Sequence, residues 1–178
     1  AIQYLNEAVN KGSTDAFYNL GLVYEKGLGM PANVDMAVKY YTKAADANHA
    51  KALKRLGDIY FTGMGTVPKN LAKAAHYYHL SAVDGNSEAQ NNLAIMYEEG
   101  LGVEKNFSKS LMWFTKASNN DNPDAHYNLA QLIEKGKVSD YDFRKSFELY
   151  ERAASMGHVQ AKEKLLSAED KNNEALLA

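Results

Sequence analysis

Cysteine is absent from all 178 residues. Disulfide stapling, thiol catalysis and cysteine-based zinc sites are therefore excluded. The absence is compatible with any compartment, a cytoplasmic setting being favoured over a secretory lumen or a periplasm. No apolar run approaches the roughly 20 residues that a helix needs to cross a bilayer. Charge of one sign is also missing: the formal net charge is −2, and nucleic acid or an anionic membrane surface would favour a basic face. The opening residues AIQYLNEAVNKG have neither the charged nor the apolar region of a leader peptide, and no Met. We read the chain as a segment of a longer protein, entered partway through a repeat.

What is present is repetition. Ala16 recurs as Ala52, Ala89, Ala125 and Ala161, at steps of 36, 37, 36 and 36 residues. Leu20 recurs in phase as Leu56, Leu93, Leu129 and Leu165, and Tyr24 as Tyr60, Tyr97 and Ile133. The spacing i, i+4, i+8 is one face of a helix. A second apolar face follows in each period: Ala37, Tyr40, Tyr41, Ala44, then Ala74, Tyr77, Tyr78, Ser81, then Ser110, Trp113, Phe114, Ala117, then Ser146, Leu149, Tyr150, Ala153. Ala1, Tyr4, Leu5 and Ala8 carry the same pattern at the N-terminus. Each period thus predicts a first and a second helix.

The connections are equally regular. Gly27, Gly63, Gly100 and Gly136 stand where a first helix needs a left-handed C-terminal residue. Gly29, Gly65 and Gly102 follow two positions later and let the chain turn back. Asn33, Asn70, Asn106 and Asp142 occupy the N-cap of each second helix, where a side-chain oxygen accepts from a free backbone N–H. Second helices end near Gly12, Asn48, Gly85, Asp121 and Gly157. Beside each leucine sits a small residue, Gly21, Gly57, Ala94 or Ala130, which implies that a neighbouring helix passes too close for a larger side chain.

The residues Ala16, Tyr18-Asn19-Leu20-Gly21, Tyr24, Gly27-Leu28-Gly29, Asn33, Ala37, Tyr40-Tyr41 and Ala44-Ala45 resemble the Sel1-like repeat, a relative of the tetratricopeptide repeat. The resemblance covers residues 1 to about 169. It implies an all-α fold, a right-handed α-α superhelix of stacked helical hairpins, acting as a non-catalytic adaptor. The expected division is a second helix at 1–12, hairpins at about 13–48, 49–85, 86–121 and 122–157, a closing helix at 158–169 and a polar tail at 170–178. Departures are one extra residue in Thr66-Val67-Pro68, Val138 for the second glycine and Ile133 for tyrosine.

No catalytic assembly or cofactor motif stands out. Gly27-Leu28-Gly29 lacks the strand and third glycine of a dinucleotide loop, and its copies make it a turn. His76 and His79 lie at i, i+3 on one helix but lack further ligands in the same motif, so a solvated face is the better reading. Asn106-Phe107-Ser108 is a glycosylation sequon, although Asn106 has its cap to serve. Trp113 and the tyrosines stand at core phase.

The positions free to carry function are those of the first helices that face away from the Ala/Leu/Tyr stripe. In a solenoid these line the concave surface. They are Tyr18, Asn19 and Leu22; Lys51, Lys54, Arg55 and Asp58; Asn91, Asn92 and Ile95; and Tyr127, Asn128 and Gln131. Asparagines one repeat apart suit the amides of an extended peptide, and Lys51, Lys54 and Arg55 could hold an acidic group on it. The expected function is a scaffold binding a protein or peptide in this groove. The alternatives are a recruiting or regulatory segment of a larger enzyme, and self-association through the solenoid ends.

Overall fold

A computed structural model of the chain describes residues 2–137 and 143–177. Among the described residues ten α-helices follow one another: α1 Ile2–Asn10, α2 Thr14–Lys26, α3 Val34–Ala45, α4 Ala50–Thr62, α5 Leu71–Val83, α6 Ser87–Glu99, α7 Phe107–Asn119, α8 Pro123–Glu134, α9 Phe143–Ser155 and α10 Val159–Leu177. Every extensive helix–helix contact joins neighbours along the chain. This is the packing of a solenoid, in which a hairpin buries its apolar stripe only against adjacent hairpins.

The two stripes form the core. Ala52, Leu56, Ala89 and Ala125 of the first helices, and Ala37, Tyr41, Ala74, Phe114 and Ala153 of the second, are buried. In the first two hairpins the second member of the aromatic pair, Tyr41 or Tyr78, is the buried one, whereas in the third both Trp113 and Phe114 are buried. Tyr40 and Tyr77 instead lie at the margin, stacked on Tyr24 and Tyr60 of their own hairpins at 5.3 and 5.7 Å. The close crossing expected at the small residues is real, and the element that crosses is a side chain. A Cβ on Gly21 would lie 2.5 Å from Tyr41 Cδ1, and one on Gly57 2.5 Å from Tyr78 Cδ1.

The turns follow the expected chemistry. Gly27 and Gly100 close α2 and α6 in the left-handed region. The Asn33, Asn70 and Asn106 side chains accept from the N–H groups of Met36, Lys73 and Lys109. One backbone bond fastens each of these turns: Asn33 N–H to Tyr24 O, Asn70 to Tyr60 and Asn106 to Tyr97, at 2.7–2.8 Å. The extra residue near Thr66 stays inside its turn, where Met64 and Val67 exchange two backbone hydrogen bonds. The second glycine does more than reverse the chain: a Cβ on Gly102 would meet Ala72 N at 2.7 Å, so this turn rests on the start of the preceding repeat's second helix.

The first helices are capped as regularly. Ser13, His49, Asn86, Asn122 and His158 accept from the N–H of Ala16, Ala52, Ala89, Ala125 and Ala161. One expectation needs correction. The last helix does not stop near 169: α10 continues to Leu177, since neither glycine nor proline interrupts residues 158–177 and its Ala, Leu, Glu and Lys favour helix. Ala1, Val138 and the expected cap Asp142 lie outside the described residues.

Candidate partner-binding face

The first helices present their polar positions side by side, and side chains tie one helix to the next. Arg55 on α4 reaches back to α2 and donates to both carboxylate oxygens of Glu25, through Nε at 2.9 Å and through Nη2. Tyr41 OH donates to the same carboxylate at 2.7 Å. Arg55 Nη1 also donates to Asp58 Oδ2 at 2.9 Å, and Tyr78 OH to Asp58 Oδ1 at 2.9 Å. Lys54 lies 3.1 Å from Asp58 and 2.7 Å from Glu88 on α6. Farther along, Lys135 pairs with Glu98 and Lys164 with Glu134.

These contacts shift protonation equilibria. Burial alone pushes the Glu25 carboxyl up, but the hydrogen bonds from Arg55 and Tyr41 outweigh it and hold the group below its usual value. Arg55 is raised, chiefly by its hydrogen bonds to Glu25. Tyr78 is raised first by burial and then by the Asp58 charge, with Asn92 opposing through a hydrogen bond to the phenol oxygen.

Eleven of the thirteen expected face residues fall into three groups. Asp58, Asn92 and Ile95 line one cavity of about 290 Å³ between α4 and α6, together with Phe61, Thr62 and Tyr78. Tyr18, Lys51, Lys54 and Arg55 line a smaller one of about 160 Å³ with Asn86 and Glu88. Tyr127, Asn128 and Gln131 form a bonded patch with Asn91: Asn128 Nδ2 donates to Asn91 Oδ1 at 3.0 Å, and Gln131 Nε2 to Tyr127 OH at 2.8 Å. Asn19 is exposed, whereas Leu22 packs against the core.

The asparagines therefore differ in availability. Asn91 is buried, Asn92 lines the cavity beside Tyr78, and Asn128 donates to Asn91. Lys54 and Arg55, expected to meet an acidic peptide, already face carboxylates of their own chain. Tyr18 and Tyr127 are each stacked on a histidine, His49 at 4.8 Å and His158 at 4.4 Å. Both imidazoles use Nδ1 as a helix cap, which leaves the proton on Nε2, facing Asp15 and Asp124.

Sequence reasoning missed Phe61, Thr62 and Tyr78. A signal existed at Phe61: its counterparts in the other hairpins are Glu25, Glu98 and Glu134. A roomier cavity of about 480 Å³ opens between second helices α7 and α9, over Ser118, His126 and Leu129. His126 Nδ1 lies 2.7 Å from Ser118 Oγ. Burial pushes its imidazole below the usual value, and the Arg152 charge adds to this. His76 and His79 meet the aromatic rings of Tyr77 and Trp113, and no group of metal-ligating side chains occurs among the described residues.

The Sel1 repeat model matches four consecutive stretches, residues 14–49, 50–86, 87–122 and 123–158. The chain belongs to the Sel1 repeat family. It is 31% identical over 96 residues to chitin synthase regulatory factor 2 of Schizosaccharomyces pombe, a match covering 52% of this chain and 19% of that protein. It is 42% identical over 69 residues to the ERAD-associated E3 ubiquitin-protein ligase component HRD3 of Candida glabrata, covering 39% of this chain and 8% of that one. The chain thus spans under a fifth of the length of these two relatives. Among solved structures it resembles c5321, a protective antigen of uropathogenic Escherichia coli with an SLR fold. That match has a TM-score of 0.88 at 28% identity and covers 98% of this chain and 37% of that one. The Sel1-like solenoid is therefore the fold. Among the described residues no helix is long and apolar enough to cross a membrane.

Proposed function

We propose that this chain is a non-catalytic protein-interaction scaffold whose first-helix groove holds an extended segment of a partner protein and so helps a complex assemble. The observation that carries this reading is the cavity between α4 and α6, which joins Asp58, Asn92 and Ile95 on a face of rigid helices whose opposite sides are locked in the core. A site built on packed helices offers a partner a preformed surface at little ordering cost. Relatives named as a regulatory factor and a ligase component support an adaptor role.

The test uses short linear peptides selected on the full chain from a random display library. Replacing Asn92 and Asn128 together by alanine is expected to weaken their binding, read by calorimetry, by at least about tenfold. Helical content by circular dichroism is expected to stay at the wild-type level. Unchanged affinity in the double variant would move the site off this face, the cavity between α7 and α9 being the next to examine. A second reading, a recruiting segment of a larger enzyme, is favoured by the small share of the relatives that the chain spans. It uses the same groove and differs only in what flanks it.

A further inference from the structure

The charged ladder along the first helices is interrupted once. Glu25, Glu98 and Glu134 follow Tyr24, Tyr97 and Ile133, and each faces a cation from the next repeat, Arg55, Lys135 and Lys164. In the second hairpin the same position is Phe61, and the residue equivalent to Arg55 is Asn92. Where a carboxylate and a guanidinium would meet, a phenyl ring and an amide stand instead. The cavity of about 290 Å³ opens at this place.

The Asp58, Thr62 and Tyr78 oxygens are already engaged. Asp58 Oδ1 accepts from Tyr78, and Oδ2 faces Arg55 and Lys54. Asn92 lines the cavity beside Tyr78, and Thr62 Oγ1 donates to Asp58 O at 3.0 Å. What remains for an occupant is the Phe61 ring, the Ile95 side chain, the Thr62 methyl and the Tyr78 ring. Lys54 and Arg55 are held by Glu25, Asp58 and Glu88, and Lys69 Nζ stands over the Phe61 ring, 5.8 Å from its centroid, so none of the three is aimed at an acidic group inside the pocket. A cationic group would meet an Asp58 that already takes three donors, two of them positive. An uncharged apolar side chain lies against the Phe61 and Ile95 surface without breaking any of these pairs.

Resting on the groove reading above, we propose that the Phe61/Ile95 pocket is the specificity pocket of the face, taking one leucine-, methionine- or phenylalanine-sized side chain from an extended segment of the partner. The neighbouring self-paired charges frame this anchor and select against strongly charged segments.

The probe is the same set of peptides selected from a random linear library on the full chain. Enriched peptides are expected to share one apolar residue whose replacement by serine, lysine or glutamate weakens binding by roughly tenfold or more. Phe61→Glu restores the residue type found at Glu25, Glu98 and Glu134, and Ile95→Gln that found at Gln131. Each is expected to weaken the unaltered peptides to a similar extent while keeping the wild-type helical content by circular dichroism, with Phe61→Glu melting lower because its ring leaves the core cluster. Asn128→Ala, outside the pocket, reports on the groove itself. Peptides weakened by Asn128→Ala but indifferent to Phe61→Glu and Ile95→Gln would overturn the pocket and leave the groove standing. Indifference to all three variants, or no enrichment, would overturn both. An anchor that proves charged would overturn the pocket's chemistry.

Discussion

At the scale of single residues, Gly21 and Gly57 show a packing constraint winning over helix propensity. Alanine is about 1 kcal/mol better than glycine inside a helix, yet a Cβ here would enter the ring of Tyr41 or Tyr78. Gly21→Ala is therefore expected to destabilise by about 1–3 kcal/mol, and a melting temperature at or above wild type would refute the crossing. The sequence revealed that something passes close to these positions. It could not reveal that the crossing element is the tyrosine of the same hairpin, because period and spacing carry no rotamer. His126 gives a second prediction. Its imidazole is held below its usual value of 6.5 by burial, so the unfolded chain takes up its proton first as the pH drops. Its contribution to stability is level above about 6.5 and falls progressively below that. His126→Leu is expected to flatten that part of the acid limb in pH-dependent urea titrations, and an unaltered limb would assign the loss to other groups.

At the scale of elements, helices α2 to α8 and α10 are each started by a side chain at the cap. Asn33, Asn70 and Asn106 were legible as caps because asparagine is a preferred residue at that position. The caps of the first helices were missed, although Ser13, His49, Asn86, Asn122 and His158 all stand three residues before the recurrent alanine. The reason is chemical: two of the five are histidines, which act through a ring nitrogen and fall outside the usual capping set. Asn106→Ala is expected to cost about 1 kcal/mol and Asn106→Asp much less, as measured by denaturant midpoints. Equal losses would mean that α7 is started by something other than this side chain.

At the scale of the whole molecule, the period was enough to predict hairpins and stacking because each hairpin packs mainly on its neighbours. The face was only partly legible. Exposed positions follow from helical phase, but the pairing of Arg55 with Glu25 spans 30 residues of sequence and depends on how two hairpins dock. Phe61 is the instructive miss: only comparison with Glu25, Glu98 and Glu134 at the same phase marks it as the odd member. Neighbour-only packing also predicts that Gly21→Ala and Leu149→Ala, in the first and fourth repeats, destabilise additively within about 0.5 kcal/mol. Strong non-additivity in urea melts would point to coupling across the solenoid. The turn around Thr66 adds a last consequence. Its surplus residue is taken up between Met64 and Val67, while the Asn70–Tyr60 clasp matches those of the turns on either side. The turn works as an expansion joint: a change of length is absorbed on the spot and no phase error reaches the next hairpin. A family built this way can lengthen its edge loops independently of the groove, so new surface can be acquired without retuning the old.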